Sequence, residues 1–177
     1  GISEAGGPRS VQHALDMGYP FGFTGGTDNH CAEPGNPLMG GITGLFAPAL
    51  TREAVFDALL ARQTFATSGP RMILHFAVNE GFMGQAISLP GGSHAGLRAR
   101  AITCEPIARL EVIRNSEVVH ALEPQDAADA TLEWEDPQTV TAVQQDRPLT
   151  GARSAYYYLR VTTVNQDYGW SSPVWVG

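Results

Sequence analysis

Asp28 and His30 stand two residues apart in the stretch Phe21-Gly22-Phe23-Thr24-Gly25-Gly26-Thr27-Asp28-Asn29-His30. On extended or loosely turning backbone they can aim a carboxylate oxygen and an imidazole nitrogen at one cation. Both donors suit Zn2+, Mn2+ and Fe2+. The run before them, apolar and bounded by glycines, reads as a buried strand over residues 21–26. In α/β sheets and barrels, chemistry is usually placed in the loops that follow strand C-termini. The spacing therefore points to a divalent-metal site at a strand end. A catalytic zinc site takes about three protein ligands plus water, so two donors leave the site incomplete in this chain.

A second polar group, Thr67, Ser68 and Arg71, follows the last helix expected below. Arg71 is the candidate substrate-binding residue, since a guanidinium can clamp a phosphate or carboxylate bidentately. An Arg paired with a carboxylate at a domain junction is the competing expectation. The Gly- and Pro-rich loop over residues 29–41 is suited to rim a pocket, and its exposed amides to meet an anion. Cys31 and Cys104 are too few for a disulfide framework and match no zinc spacing. Cys31 follows His30 directly, which leaves it open as a soft ligand; as a small, partly buried thiol it needs no such role. His13 is expected at the surface, and His75, His94 and His120 in structural positions. No Ser-His-Asp arrangement and no Walker-type loop is present.

These residues need elements to position them. Ser10 is placed to cap a helix through Val11, Ala14, Leu15 and Met17, with Gly18 ending it. Residues 41–47 read as a further strand. Thr51 then caps a helix with Glu53 in its first turn, and Val55, Ala58, Leu59 and Arg62 repeat as one core-facing stripe. This is the β-α-β-α pattern of a parallel sheet or barrel near its finish. From Arg71 the period becomes two. Strands are expected over residues 72–78, 97–104, 108–113, 131–134, 139–143, 156–164 and 171–176, with a tight turn at Asn115-Ser116 and a loop over 121–130. Such a series suggests an Ig-like sandwich. The fold class expected is thus α+β: terminal βα units over residues 1–70, then an all-β domain over residues 71–177. Trp134, Trp170, Trp175 and Tyr156–Tyr158 fall mostly where strands need core.

Composition narrows the partners. A net charge of −7 argues against a nucleic-acid backbone. Every basic residue is Arg, and these are scattered rather than clustered. No apolar run reaches transmembrane length, so no membrane partner is expected. The chain opens at Gly1 without an initiator Met, as a processed or truncated product would. Bacterial cytoplasm and periplasm both stay open, as does a homo-oligomer.

Gly22-Phe23-Thr24-Gly25-Gly26-Thr27-Asp28-Asn29-His30 resembles the last metal-ligand motif of the PHP superfamily, the polymerase and histidinol phosphatase-type metallohydrolases. The segments Gly40-Gly41-Ile42-Thr43-Gly44-Leu45-Phe46-Ala47, Arg62-Gln63-Thr64-Phe65-Ala66-Thr67-Ser68-Gly69 and Trp170-Ser171-Ser172-Pro173-Val174-Trp175-Val176 are similar to the branch that continues into a β-rich C-terminal region. The resemblance covers nearly the whole chain but only the C-terminal part of such a protein. It implies a barrel whose other ligands, His-x-His and isolated His, Asp or Glu, come from earlier strands. It also implies metal-assisted hydrolysis of a small-molecule phosphoester, with carbamates or related esters open. This chain alone is expected to be inactive. A catalytically inactive β-sandwich module, structural or ligand-binding, is the alternative.

Overall fold

The computed structural model describes residue 7, residues 10–28 and residues 40–177. His30, Cys31 and most of the 29–41 loop lie outside them.

The Ser10 side chain accepts from the His13 amide at 3.1 Å and opens α1 (Val11–Met17). Gly18, at φ 97°, ends α1 in the left-handed region, where a Cβ would also meet Arg147. Beyond residue 40 come β1 (Ile42–Leu45), α2 (Arg52–Leu60) and β2 (Thr64–Thr67). Thr51 caps α2 by accepting from the Ala54 amide at 3.2 Å, and Glu53 occupies the first turn. The chain then turns to β3 (Ile73–Val78), β4 (Gly81–Phe82), β5 (Ala86–Ile87), β6 (His94–Ile102), β7 (Ile107–Arg114), β8 (Glu117–Leu122) and β9 (Asp129–Thr139). A helical turn, α3 (Val140–Val143), precedes β10 (Gln145–Asp146), β11 (Arg153–Thr163), β12 (Tyr168–Ser171) and β13 (Val174–Val176).

The molecule is β-rich. One sheet runs β1-β2-β12-β11-β13-β5, with β7 and β10 also on β11 and β8 on β7; the other runs β4-β3-β6-β9. Pairing is antiparallel except between β13 and β5. Asn115 and Ser116 have φ of 48° and 71° between Arg114 and Glu117, which face each other across the ladder. That is the expected two-residue hairpin, with positive φ at both central positions. Among the described residues no helix is long and apolar enough to cross a membrane.

β11 organises the core because both of its faces are covered. Successive side chains of a strand point to opposite sides. Ala155, Tyr157, Leu159 and Val161 enter the core shared by the two sheets, with Leu74, Phe76, Leu97 and Leu132 opposite. Tyr156 and Tyr158 point the other way, into a second cluster with Leu15, Phe23, Ile113 and Trp175. The N-terminal segment thus serves as a cover on the outer face of the larger sheet.

The structure departs from several expectations. Residues 21–26 form no strand: β2 is already paired on one side with β1 and on the other with β12, so no ladder edge is open to them there. They cross the sheet face instead, with Phe23 in edge contact with Tyr158 at 5.3 Å between ring centres. The parallel arrangement expected around residues 41–67 is not formed, since β1 and β2 are antiparallel with Ile42 opposite Thr67. β2 also joins β12, so the larger sheet takes strands from both sides of residue 70. Of the expected core-facing stripe on α2, Ala58 is buried and Val55 and Arg62 are half-buried, whereas Leu59 is 43% exposed. Residues 140–143 are helical rather than extended. One turn lets Val140 and Val143 both bury, with the Val140 and Thr141 amides donating to the carbonyls of Ser93 and Gly91.

Candidate functional site

The approach to Asp28 is fixed by glycines and hydroxyls. Thr43 Oγ1 accepts from the Gly25 amide at 3.0 Å and donates to the Gly25 carbonyl at 2.8 Å. One side chain thereby satisfies both polar groups that a ladder would have used. The Phe23 amide donates to Ser172 Oγ at 2.8 Å, and Ser172 Oγ lies 3.0 Å from Thr64 Oγ1. Gly25 passes so close to Ile42 that any Cβ would meet the Ile42 carbonyl oxygen. Gly41 is equally constrained, since its Cβ would lie 2.6 Å from the Thr67 carbonyl oxygen and 3.2 Å from the Gly26 nitrogen. The glycines let two backbones pack without side chains between them.

Asp28 follows this anchored stretch, exposed and at φ 50°. Asp tolerates the left-handed region better than most residues, so the chain can turn here while presenting a carboxylate to solvent. His30, its expected partner, lies outside the described residues. Among the described residues, no three His, Cys, Asp or Glu side chains gather into a group able to hold a metal. Asp28 by itself makes no such group.

Arg71 is also exposed, two residues before β3. It lines a groove of 430 Å³ whose walls are largely apolar, from Ile42, Phe65, Met72 and Ile102, with Thr103 and Cys104 also lining it. Cys104 is a free, exposed thiol whose Sγ lies 3.5 Å from the Arg71 carbonyl oxygen. The companions expected for Arg71 are engaged elsewhere. Thr67 Oγ1 donates to the Pro70 carbonyl at 2.8 Å, and Ser68 Oγ donates to Asp167 at 3.1 Å. Ile42 and Thr67 belong to this groove and also touch Gly25 and Gly41, so the Asp28 approach and the Arg71 groove meet at one end of β1 and β2.

The remaining histidines hold structural positions. His13 is exposed, His120 stacks on Trp134 at 5.1 Å, and His94 Nδ1 lies 2.8 Å from the Asp136 carbonyl oxygen. His75 packs against Phe82, with its pKa lowered first by burial and then by nearby Arg98.

A polar assembly that the sequence did not reveal ties the N-terminal cover to the sandwich. Tyr156 Oη donates to Asp16 Oδ1 and Ser116 Oγ donates to Asp16 Oδ2, both at 2.8 Å. Buried Arg147 adds an ion pair to Asp16 at 3.7 Å and donates to the Ser154 carbonyl at 2.8 Å and to Asn115 Oδ1 at 2.5 Å. The contributors span positions 16 to 156, and no local spacing marks them.

The comparisons with known proteins match the chain to relatives without a stated activity. A family model described as a protein of unknown function (DUF3604) matches residues 33–100, which include Arg71 but neither Asp28 nor His30. An uncharacterized protein of Chlamydia pneumoniae is 33% identical over 180 residues, and one of Chlamydia trachomatis serovar D is 32% identical over 178. Each match takes in 94% of this chain. No solved structure matches. The chain spans 28% of the length of these curated relatives, to which it is similar along nearly its whole extent.

Proposed function

We propose that the chain is the C-terminal part of a PHP-type, divalent-metal-dependent hydrolase. In this reading Asp28 and His30 are two ligands of a Zn2+, Mn2+ or Fe2+ ion, and Arg71 holds the anionic group of a small-molecule phosphoester. The supporting observation is the placement of Asp28: an exposed carboxylate in a left-handed turn, directly after a stretch pinned against β1 through Gly25 and Thr43. Preorganised backbone of this kind suits a ligand that must hold its direction. In this reading residues 1–70 belong to the end of the barrel, and the other ligands come from outside these residues. When bound, the ion supplies a water of lowered pKa and polarises the substrate oxygen. The apolar walls beside Arg71 would hold the uncharged part of the substrate while the guanidinium orients the anionic end.

The second reading is a β module without catalysis. Tyr156, Tyr157 and Tyr158 favour a structural version of it, since all are fully buried and offer no ring to a ligand. Metal analysis by plasma mass spectrometry separates the readings, on a polypeptide of the relatives' full length carrying this sequence, beside an Asp28→Asn, His30→Ala variant. The hydrolase reading expects near-stoichiometric metal lost in the variant, and phosphoesterase activity abolished by a chelator. Equal metal in both proteins sinks the ligand assignment.

A further inference from the structure

We infer that the outward face of α2 is a docking face for another part of the same polypeptide, outside these 177 residues. This rests on the reading that the chain is one portion of a longer protein. Phe56 is 59% exposed, Leu60 62%, Leu59 43% and the preceding Leu50 99%, whereas the one buried residue of the helix is Ala58. Phe56 and Leu60 are four apart and Phe56 and Leu59 three apart, so they share one surface stripe. The helix turns Ala58 and Val55 inward, while its larger apolar residues Phe56, Leu59 and Leu60 stand outward. A surface helix of a free-standing domain does the opposite. Scattered exposed apolar residues are ordinary, but a contiguous patch marks an interaction site. Glu53 and Asp57, also four apart, flank the stripe as a polar rim.

The occupant follows from length and area. The matched region is 28% of each relative, so most of each relative lies beyond it. Nine helical residues form a face only about 14 Å long and about 10 Å wide, well short of the roughly 800 Å² per partner of a standard interface between separate molecules. A tethered partner needs far less area, because linkage raises its effective concentration to about the millimolar range. The face therefore suits an apolar helix or sheet surface of the same chain better than a second copy.

The test uses the full-length polypeptide with Phe56→Glu and Leu60→Glu together, a milder Phe56→Ser, and Glu133→Gln, exposed on β9 and away from α2, as a control. Hydrogen–deuterium exchange is expected to rise about tenfold in α2 and in one segment outside these 177 residues for the first two variants, and not for the control. Exchange unchanged outside the 177 residues, in variants that keep the native circular dichroism, overturns the proposal. So does a wild-type dimer in sedimentation that Phe56→Ser converts to monomer, which would name a second copy as the occupant. Metal content is read on the same samples: raised exchange in the variants beside a metal-free wild type supports docking while overturning the hydrolase reading, and unchanged exchange in the variants beside a metal-loaded wild type does the reverse.

Discussion

Asp136 shows how a single buried charge can be both necessary and readable. It is fully buried, and its Oδ2 accepts from Arg114 at 2.6 Å and from the Tyr157 hydroxyl at 3.0 Å, while Oδ1 accepts from the Gln138 amide at 2.9 Å. Removing one partner of a buried pair leaves the other uncompensated, so Asp136→Ala is expected to cost about 3–5 kcal/mol in urea unfolding. Tyr157 gives the arrangement a pH signature. Burial first, and then the Asp136 charge, raise its pKa far above the ordinary value. A group raised on folding contributes stability that is complete below its unfolded pKa, about 10, and is lost as pH rises beyond it. Unfolding free energy should therefore fall above roughly pH 10, and Tyr157→Phe should flatten that limb; an unchanged alkaline slope would refute the assignment. The sequence carried a signal for Asp136. Ala130 and Leu132 are buried and Trp134 half-buried at alternate positions of β9, and the same period continues to Asp136. Its partners on β7 and β11 lie far away in sequence, so only the sheet register reveals them.

Among the elements, local chemistry was legible and lateral pairing was not. Both helix caps, the Gly18 stop and the Asn115-Ser116 hairpin follow from residues adjacent in sequence. The stretch 21–26 has a strand's composition, but whether it pairs depends on β12 having already taken the free edge of β2, a contact about a hundred residues away. The helical turn α3 was missed for a like reason, since its amides are satisfied by Ser93 and Gly91. The glycines before Asp28 were noticed as a pair, yet their roles differ. A Cβ on Gly26 meets nothing within 4 Å, whereas one on Gly25 strikes backbone that cannot swing aside. Gly25→Ala is therefore expected to destabilise by about 1–3 kcal/mol through overpacking, and to lower metal retention in the full-length protein. Gly26→Ala should do neither. Thermal unfolding of the two variants side by side checks this, and equal effects would remove Gly25 from its anchoring role.

At the scale of the molecule, a boundary near residue 70 was expected because hydrophobic period and composition change there. The sheet disregards that change: β2 lies between β1 and β12, and β12 pairs with the strand whose outer face α1 and Phe23 help to cover. Segments from both sides of the boundary then share packing, and shared packing is what makes unfolding cooperative. Leu15 offers the sharpest probe, because it is fully buried on α1 and reaches the sandwich only through the second cluster with Tyr156 and Tyr158. If the N-terminal cover were a loosely attached unit, Leu15→Ala would melt it alone and leave the tyrosine signal in place. If cover and sandwich are one unit, the truncation costs about 2–5 kcal/mol of global stability. Tm should then fall by about 4–20 °C for a domain of this size, with helical circular dichroism and tyrosine absorbance lost in a single transition. The second outcome is expected, because Asp16, one residue further along α1, is held by Tyr156, Ser116 and Arg147 together. Two resolved transitions, with the sandwich melting at the wild-type temperature, would instead make residues 10–28 a separable cover, and the Asp28 turn would lose the rigid footing that the proposed ligand role requires.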